Sequence, residues 1–237
     1  SLVVGGIWPE VSRAQTSLDA SLEPYLKTHD LPALAAAVVQ NGKTIAAGAV
    51  GTRKHGETIP VTLNDRFHLG SDTKAMTSLL AGMLVEEGTL RWNSTIAEVF
   101  PEIAETLDAG LRGVTLEQLL SHTSGISPDN DVLTGLLLDS YRQPGNLDEQ
   151  RYWLLKSWGP QKLITKPGTT FAYANMNYVI VGTMIERKLG KSWDELIVER
   201  IFKPLDLKTA GLGPQSSLGR IDAPLGHALD GSQIRSF

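Results

Sequence analysis

Asn41-Gly42 separates two apolar, partly β-branched runs, Ala35–Gln40 and Thr44–Val50. A two-residue connection between strands needs positive φ at both positions, and Asn and Gly accept it most readily, so a hairpin is predicted over residues 34–50. Two strands do not make a stable sheet by themselves. Any fold for this chain must therefore give the hairpin more strands or a layer to pack on. Residues after Glu199 offer no good strand, so the sheet is expected to be incomplete at the C-terminus. On this reading the chain is a piece of a longer domain or is complemented by another chain.

Elsewhere the hydrophobic period is helical. Residues Ser17–His29 place Leu18, Leu22, Tyr25 and Leu26 on one face. A long helix is expected over Asp72–Glu87, with Met76, Leu79, Leu80, Met83 and Leu84 as its buried stripe and Gly88 as its stop. Thr115 followed by Gln118 has capping-box spacing. A second long helix runs from about Met176 to Leu189 and ends at Gly190. Between the helices, Ser127–Gln161 holds Pro128, Pro144, Gly145, Gly159 and Pro160 and reads as irregular. The expected fold class is α+β: an antiparallel sheet flanked by helices, plus a mostly helical subdomain. The expected organisation is one domain over 1–237, with the hairpin at 34–50, a helical region at 71–210, and C-terminal strands missing.

Composition removes several functions. The 237 residues carry a net charge of -4, which argues against nucleic acid as the main partner. No Cys is present, so a thiolate metal site, an iron–sulfur cluster and a Cys nucleophile are excluded. The histidines at 29, 55, 68, 122 and 227 show no ligand spacing, and no metal or organic cofactor is implied. The longest apolar stretch, Leu31–Val39, is too short to cross a bilayer and contains Pro32.

Ser71 and Lys74 stand three apart where a loop enters the first long helix. At that spacing the side chains share a face, with β-carbons about 5–6 Å apart, so a neutral lysine can serve as base to the serine oxygen. The helix's first N–H groups can hold an oxyanion, and Gly70 leaves room for a substrate. A Ser-x-x-Lys spacing arises by chance about once in a chain this long, and an N-cap serine beside a solvated lysine gives the same letters. Tyr173 and Asn175 follow Pro167-Gly168 and project to one side of an extended loop. Together they can line a cleft, and equally they can be a packing tyrosine and a helix cap.

The surroundings are more specific. Phe67–Thr77 resembles the nucleophile segment of the serine β-lactamase and penicillin-binding-protein superfamily, most of all class C β-lactamases and their esterase and D-aminopeptidase relatives. Leu119-Leu120-Ser121-His122-Thr123-Ser124-Gly125 resembles that group's helix-ending signature. Pro167-Gly168 through Tyr173-Ala174-Asn175, with Gly182, Glu186 and Gly190, is similar to its second motif. Pro204-Leu205, Leu207 and Thr209 look like the segment that follows. The resemblance runs from about residue 17 to 230. It implies Ser71 as acylated nucleophile, Lys74 as its proton partner, Tyr173 as the base that also protonates the leaving group, and Asn175 as a substrate-orienting contact. The Ser71 N–H is implied as one oxyanion donor, with the other coming from a C-terminal strand. A small acyl compound is the implied partner, and a periplasmic or secreted location is favoured with the cytoplasm left open.

Two departures follow. The third motif of the superfamily, Lys-Thr/Ser-Gly or His-x-Gly, is not found: Lys166-Pro167-Gly168 belongs to the turn before Tyr173, and Lys208-Thr209-Ala210 ends in Ala. The glutamine of class C enzymes is not evident after Gly125, where Ile126-Ser127-Pro128 stands. The expected function is a serine hydrolase acting on an ester or amide, whether β-lactam, D-amino-acid peptide or carboxylic ester. The alternatives are an idle penicillin-recognising or scaffold protein, and one half of a split enzyme that needs a C-terminal fragment as a second chain. A His122–Ser124–Asp129 triad is set aside because no G-x-S-x-G elbow surrounds Ser124. Trp153 and Trp158 are expected in the core or along the cleft.

Overall fold

In the computed structural model the hairpin forms as the Asn-Gly pair requires. The structure describes residues 16–230 and 233–236. Strand β1 (Thr16–Ser17) leads into helix α1 (Asp19–Thr28), then β2 (Ala33–Gln40) and β3 (Lys43–Gly51). Asn41 and Gly42 have φ of 50° and 71°, and Gln40 lies opposite Lys43. The sheet order is β1-β3-β2, antiparallel between β2 and β3 and parallel between β1 and β3. α1 packs on β2 and β3, with Leu18, Leu22 and Leu26 half-buried and Tyr25 turned to solvent. Gly48 permits this close approach, since a Cβ there would lie 2.8 Å from the Asp19 nitrogen. The Asp19 carboxylate accepts from the Ala49 N–H at 2.9 Å.

Two strands do occur beyond Glu199, where the sequence pattern offered none. β4 (His227–Asp230) and β5 (Gln233–Ser236) pair antiparallel as a separate two-stranded sheet. Each has four residues, too few for a hydrophobic alternation to stand out in sequence. Among the described residues neither joins the β1-β3-β2 sheet. Both hairpins fall in one compact unit, made of residues up to Leu69 and from Thr209 onward; Gly70–Lys208 form the other. Within the first, Arg53 pairs with Asp65 at 2.7 Å and also donates to the Ile221 carbonyl.

The helical unit is organised around one buried helix. Its elements are α2 (Thr73–Glu86), α3 (Ile96–Val99), α4 (Ala109–Arg112), α5 (Leu116–Leu120), α6 (Asp131–Ser140), α7 (Leu147–Trp158), α8 (Asn175–Leu189) and α9 (Trp193–Ile197). α8 packs against α2, α3, α5, α7 and α9, so residues all round it are buried, from Met176 to Glu186. Gly190 ends it in the left-handed conformation, φ 64°, where a side chain would be strained. The face of α2 that packs inward is Thr77, Leu80, Ala81 and Leu84. Leu79, expected in that stripe, is 50% exposed. A polar Thr77 takes the inward place because its hydroxyl accepts from Trp193 Nε1 at 3.1 Å.

The stretch Ser127–Gln161 is not irregular. It contains α6 and α7; Pro128, Pro144, Gly145, Gly159 and Pro160 sit at the junctions, and Gly135 lies inside α6. Asn130 caps α6 by accepting from Leu133 N, and Asn146 forms a capping box with Glu149 on α7. The boundary signals are real; the two helices lie between them. Leu154, Leu155 and Trp158 of α7 are buried. Across the α7–α8 contact Arg151 reaches Glu186 at 2.6 Å and Asp194 at 2.8 Å.

Candidate active site

Ser71 lies in a 3-10 turn, Gly70–Asp72, that delivers the chain into α2. Gly70 has φ 53°, a conformation glycine takes without strain. Lys74 is one turn on, and its Nζ donates to Ser71 Oγ at 3.1 Å. Tyr173 and Asn175 arrive from the other side, where the loop before α8 becomes the helix. Tyr173 Oη shares a hydrogen bond with Ser71 Oγ at 2.7 Å. Asn175 Oδ1 accepts from Lys74 Nζ at 2.6 Å. All four residues named from the sequence thus join one hydrogen-bonded group, wholly within the helical unit.

The supports of this group were not legible in sequence. Asp129 accepts from the Asn175 backbone N–H at 2.9 Å with one oxygen and closely from its side-chain Nδ2 with the other. Tyr178 lies beneath Lys74, with Nζ 5.5 Å from the ring centre, and Nζ is 4.9 Å from that of Tyr173. Tyr178 Oη bonds to Ser78 Oγ and donates to the Leu120 carbonyl, tying α8 to α2 and α5. Tyr178 lies three residues beyond Asn175 on a helix, which places them on one face; no local signal marked Asp129.

His122 belongs to the packing and to no triad. It ends the α5 turn with φ 56°, a left-handed position uncommon for a residue with a side chain. Its ring lies 4.5 Å from that of Tyr173 and 5.2 Å from that of Tyr178, and its carbonyl accepts from Ala172 N at 2.8 Å. Its Nδ1 meets Asn177 Nδ2 at 3.0 Å, and Asn177 Oδ1 accepts from Ser124 Oγ at 2.6 Å. Ser124 therefore bonds to an amide and Asp129 to Asn175. Burial, and then the nearby Lys74 charge, hold the His122 pKa below its usual value. A neutral ring here supplies the acceptor that the buried Asn177 amide needs.

Electrostatics bear most directly on Tyr173. Its hydrogen bonding with Lys74 and then with Ser71 lowers its pKa from the ordinary phenol value, against small opposing effects of desolvation and the Asp129 charge. The phenol is 41% exposed, so solvent and small molecules reach it. Ser71 Oγ thus has both the Lys74 nitrogen and a phenol of lowered pKa within hydrogen-bond reach. Trp158 is a core residue, 2% exposed, that also borders a cavity of about 420 Å³ shared with Ser127, Asn130 and Lys162. Among the described residues no cluster of His, Asp and Glu can hold a metal, and no helix is long and apolar enough to cross a membrane.

Ser71 Oγ therefore meets both a lysine one helical turn on and a tyrosine from a distant loop. The chain belongs to the Beta-lactamase family, which it matches over residues 18–232. It is 26% identical over 222 residues to Protein flp of Staphylococcus aureus (strain MW2), covering 92% of this chain and 42% of that protein. It is 32% identical over 190 residues to Penicillin-binding protein 4 of Amycolatopsis lactamdurans, covering 80% and 47%. The chain thus spans less than half the length of these curated relatives. Its fold is similar to that of the octameric penicillin-binding protein homologue from Pyrococcus abyssi, with TM-score 0.73 and 24% identity over 92% of this chain and 50% of that one. EstCE1, a hydrolase with promiscuous acyltransferase activity, and the D-amino acid amidase of Ochrobactrum anthropi both align at TM-score 0.70 and 20% identity. Each covers 92% of this chain, and 60% and 59% of their own chains are covered in turn. At these identities the likeness concerns the fold.

Proposed function

We propose that this chain carries the acylation site of a serine hydrolase of the β-lactamase type, with Ser71 as the nucleophile. The observation that carries the reading is the pair of hydrogen bonds at Ser71 Oγ, 2.7 Å to Tyr173 Oη and 3.1 Å to Lys74 Nζ. Both are within proton-transfer reach. In the forward step the Ser71 proton passes to the ionised Tyr173 or to a neutral Lys74 as Oγ forms a bond to the substrate carbonyl carbon. The carbonyl electron pair moves onto oxygen, where the Ser71 N–H serves as one donor. As the tetrahedral intermediate collapses, the C–O or C–N bond breaks and Tyr173 returns the proton to the leaving group. Water then attacks the Ser71 ester by the same route in reverse, releasing the acid. Asn175 orients the substrate and holds Lys74.

The substrate class proposed is an ester or amide of a small carboxylic acid: a carboxylic ester, a D-amino-acid amide or peptide, or a β-lactam. EstCE1, a hydrolase with promiscuous acyltransferase activity, and the D-amino acid amidase among the fold neighbours support that range. The test is incubation with a fluorophosphonate and, separately, a fluorescent penicillin, followed by peptide mass spectrometry and p-nitrophenyl acetate turnover. An adduct on Ser71, with turnover abolished in Ser71→Ala while its circular dichroism is unchanged, supports the reading. Retained turnover in Ser71→Ala refutes it. A stable penicillin adduct without ester turnover would favour the idle penicillin-recognising alternative. Turnover only after a second polypeptide is added would favour the split-enzyme alternative.

A further inference from the structure

The amide of Asn175 can sit in its place in two ways that differ by a half-turn, and only one suits its neighbour. Lysine has donors and no acceptor, so Lys74 Nζ needs an oxygen opposite it, and Asn175 Oδ1 lies there at 2.6 Å. With the amide turned over, an NH2 would oppose the Lys74 donors, and Nζ would lose the contact that directs it toward Ser71 Oγ. Nothing within the residue chooses between the two. Asp129 makes the choice, because an ionised carboxylate only accepts. One of its oxygens takes the Asn175 backbone N–H and the other takes Nδ2, which leaves Oδ1 for Lys74.

Asp129 is itself held in place. On one side Ser124 Oγ accepts from Ile126 N at 3.2 Å and donates to the buried Asn177. On the other, Asn130 caps α6 and donates from Nδ2 to Ser127 Oγ at 3.2 Å. The carboxylate therefore stands on a short loop pinned at both ends and does not need burial to be fixed.

We propose that Asp129 is the positioning residue of this site: it sets the orientation of the Asn175 amide and, through it, the placement of Lys74 against Ser71. This rests on the acylation reading of Ser71 and names a residue outside the four-member group.

The test uses the intact chain, the second-order rate of fluorophosphonate labelling at Ser71, and kcat and KM for p-nitrophenyl acetate. Asp129→Asn sets an NH2 against one of the two Asn175 donors whichever way it turns. Labelling should slow by about 10–100-fold, with kcat falling and KM changing by less than about twofold. Asp129→Ala removes both acceptors without adding a donor and should slow labelling less than Asp129→Asn does. Asn175→Asp alone sets two carboxylates face to face and should also slow it.

The double variant Asp129→Asn with Asn175→Asp restores complementarity. The new amide at 129 accepts from the backbone N–H and donates to the new carboxylate at 175, which still accepts from Lys74. Its labelling rate should return to within about fivefold of wild type. A residue with a merely structural role would lower the thermal midpoint in both single variants and show no such reciprocal rescue. Labelling of Asp129→Asn within about twofold of wild type, or a double variant no faster than Asp129→Asn, would overturn the proposal. Failure of the wild-type chain to label at all would instead overturn the acylation reading beneath it.

Discussion

Replacing Tyr173 by phenylalanine removes one oxygen and separates what that oxygen does from what the ring does. The ring stays 4.5 Å from His122, so its packing is kept. The lost oxygen bonds to the exposed Ser71 at 2.7 Å and to the half-buried Asn175 at 3.4 Å, and it is itself reached by solvent, so water replaces it at a stability cost of about 1 kcal/mol or less. Its proposed chemical role is larger. A positioned acid–base group contributes about 10²–10⁴ in rate, or roughly 2.7–5.5 kcal/mol of barrier. The predicted signature is a rate loss of that size for p-nitrophenyl acetate with a thermal midpoint changed by no more than about 4 °C.

The pH profile gives a second readout. On the proposed mechanism Tyr173 acts as base in its ionised form, and hydrogen bonding to Lys74 and Ser71 lowers its pKa from 10.0. The wild-type rate should therefore rise with pH along a limb that lies below the ordinary phenol range. In Tyr173→Phe that limb should vanish. A variant that keeps its rate within about threefold and retains the same limb would show that Tyr173 carries no proton here, leaving Lys74 as the base.

Two further predictions concern what holds the site in place. Gly125 has φ 84°, and a Cβ there would lie 2.2 Å from the Thr165 carbonyl oxygen, beside the Ile164 N–H to Gly125 carbonyl bond. Strain and the weakened bond together should cost Gly125→Ala about 2–4 kcal/mol, a midpoint lower by about 4–16 °C; a shift under about 1 °C would contradict this. Arg151→Met leaves the buried Glu186 carboxylate without its cation, at about 3–5 kcal/mol and about 6–20 °C. Burial already raises the Glu186 pKa, with Arg151 opposing it. A carboxyl whose pKa is raised on folding contributes stability below its unfolded value and loses it as pH rises through the folded one. Without Arg151 that pKa climbs further, so the deficit of the variant should be greatest near neutrality and shrink on acidification. A deficit independent of pH from 5 to 8 would refute that linkage.

Much of the fold was written locally. Asn41-Gly42 announced a turn that has positive φ at both positions, Thr115 and Gln118 form the capping box their spacing promised, and Gly190 stops α8 in the left-handed conformation. Each depends on contacts a few residues apart, which spacing encodes. The helices α6 and α7 were hidden because Pro144, Gly145, Gly159 and Pro160 read as irregular structure over the whole stretch when they mark only its junctions. The strands β4 and β5 were too short for any period to be visible.

The chemistry divides along the same line. That Ser71 and Lys74 share a face follows from the helical repeat, and the absence of cysteine excludes a thiolate nucleophile. Tyr173 meets Ser71 across 102 residues, and Asp129 meets Asn175 across 46. Those meetings depend on where α2, α5 and α8 pack, and packing is set by side-chain volumes over the whole helical unit. Sequence alone determined which groups were available to react. The tertiary structure decided which way the Asn175 amide faces, what lies beneath Lys74, and that His122 supports the site by packing, because orientation in a hydrogen-bonded group is fixed only when every partner is in place.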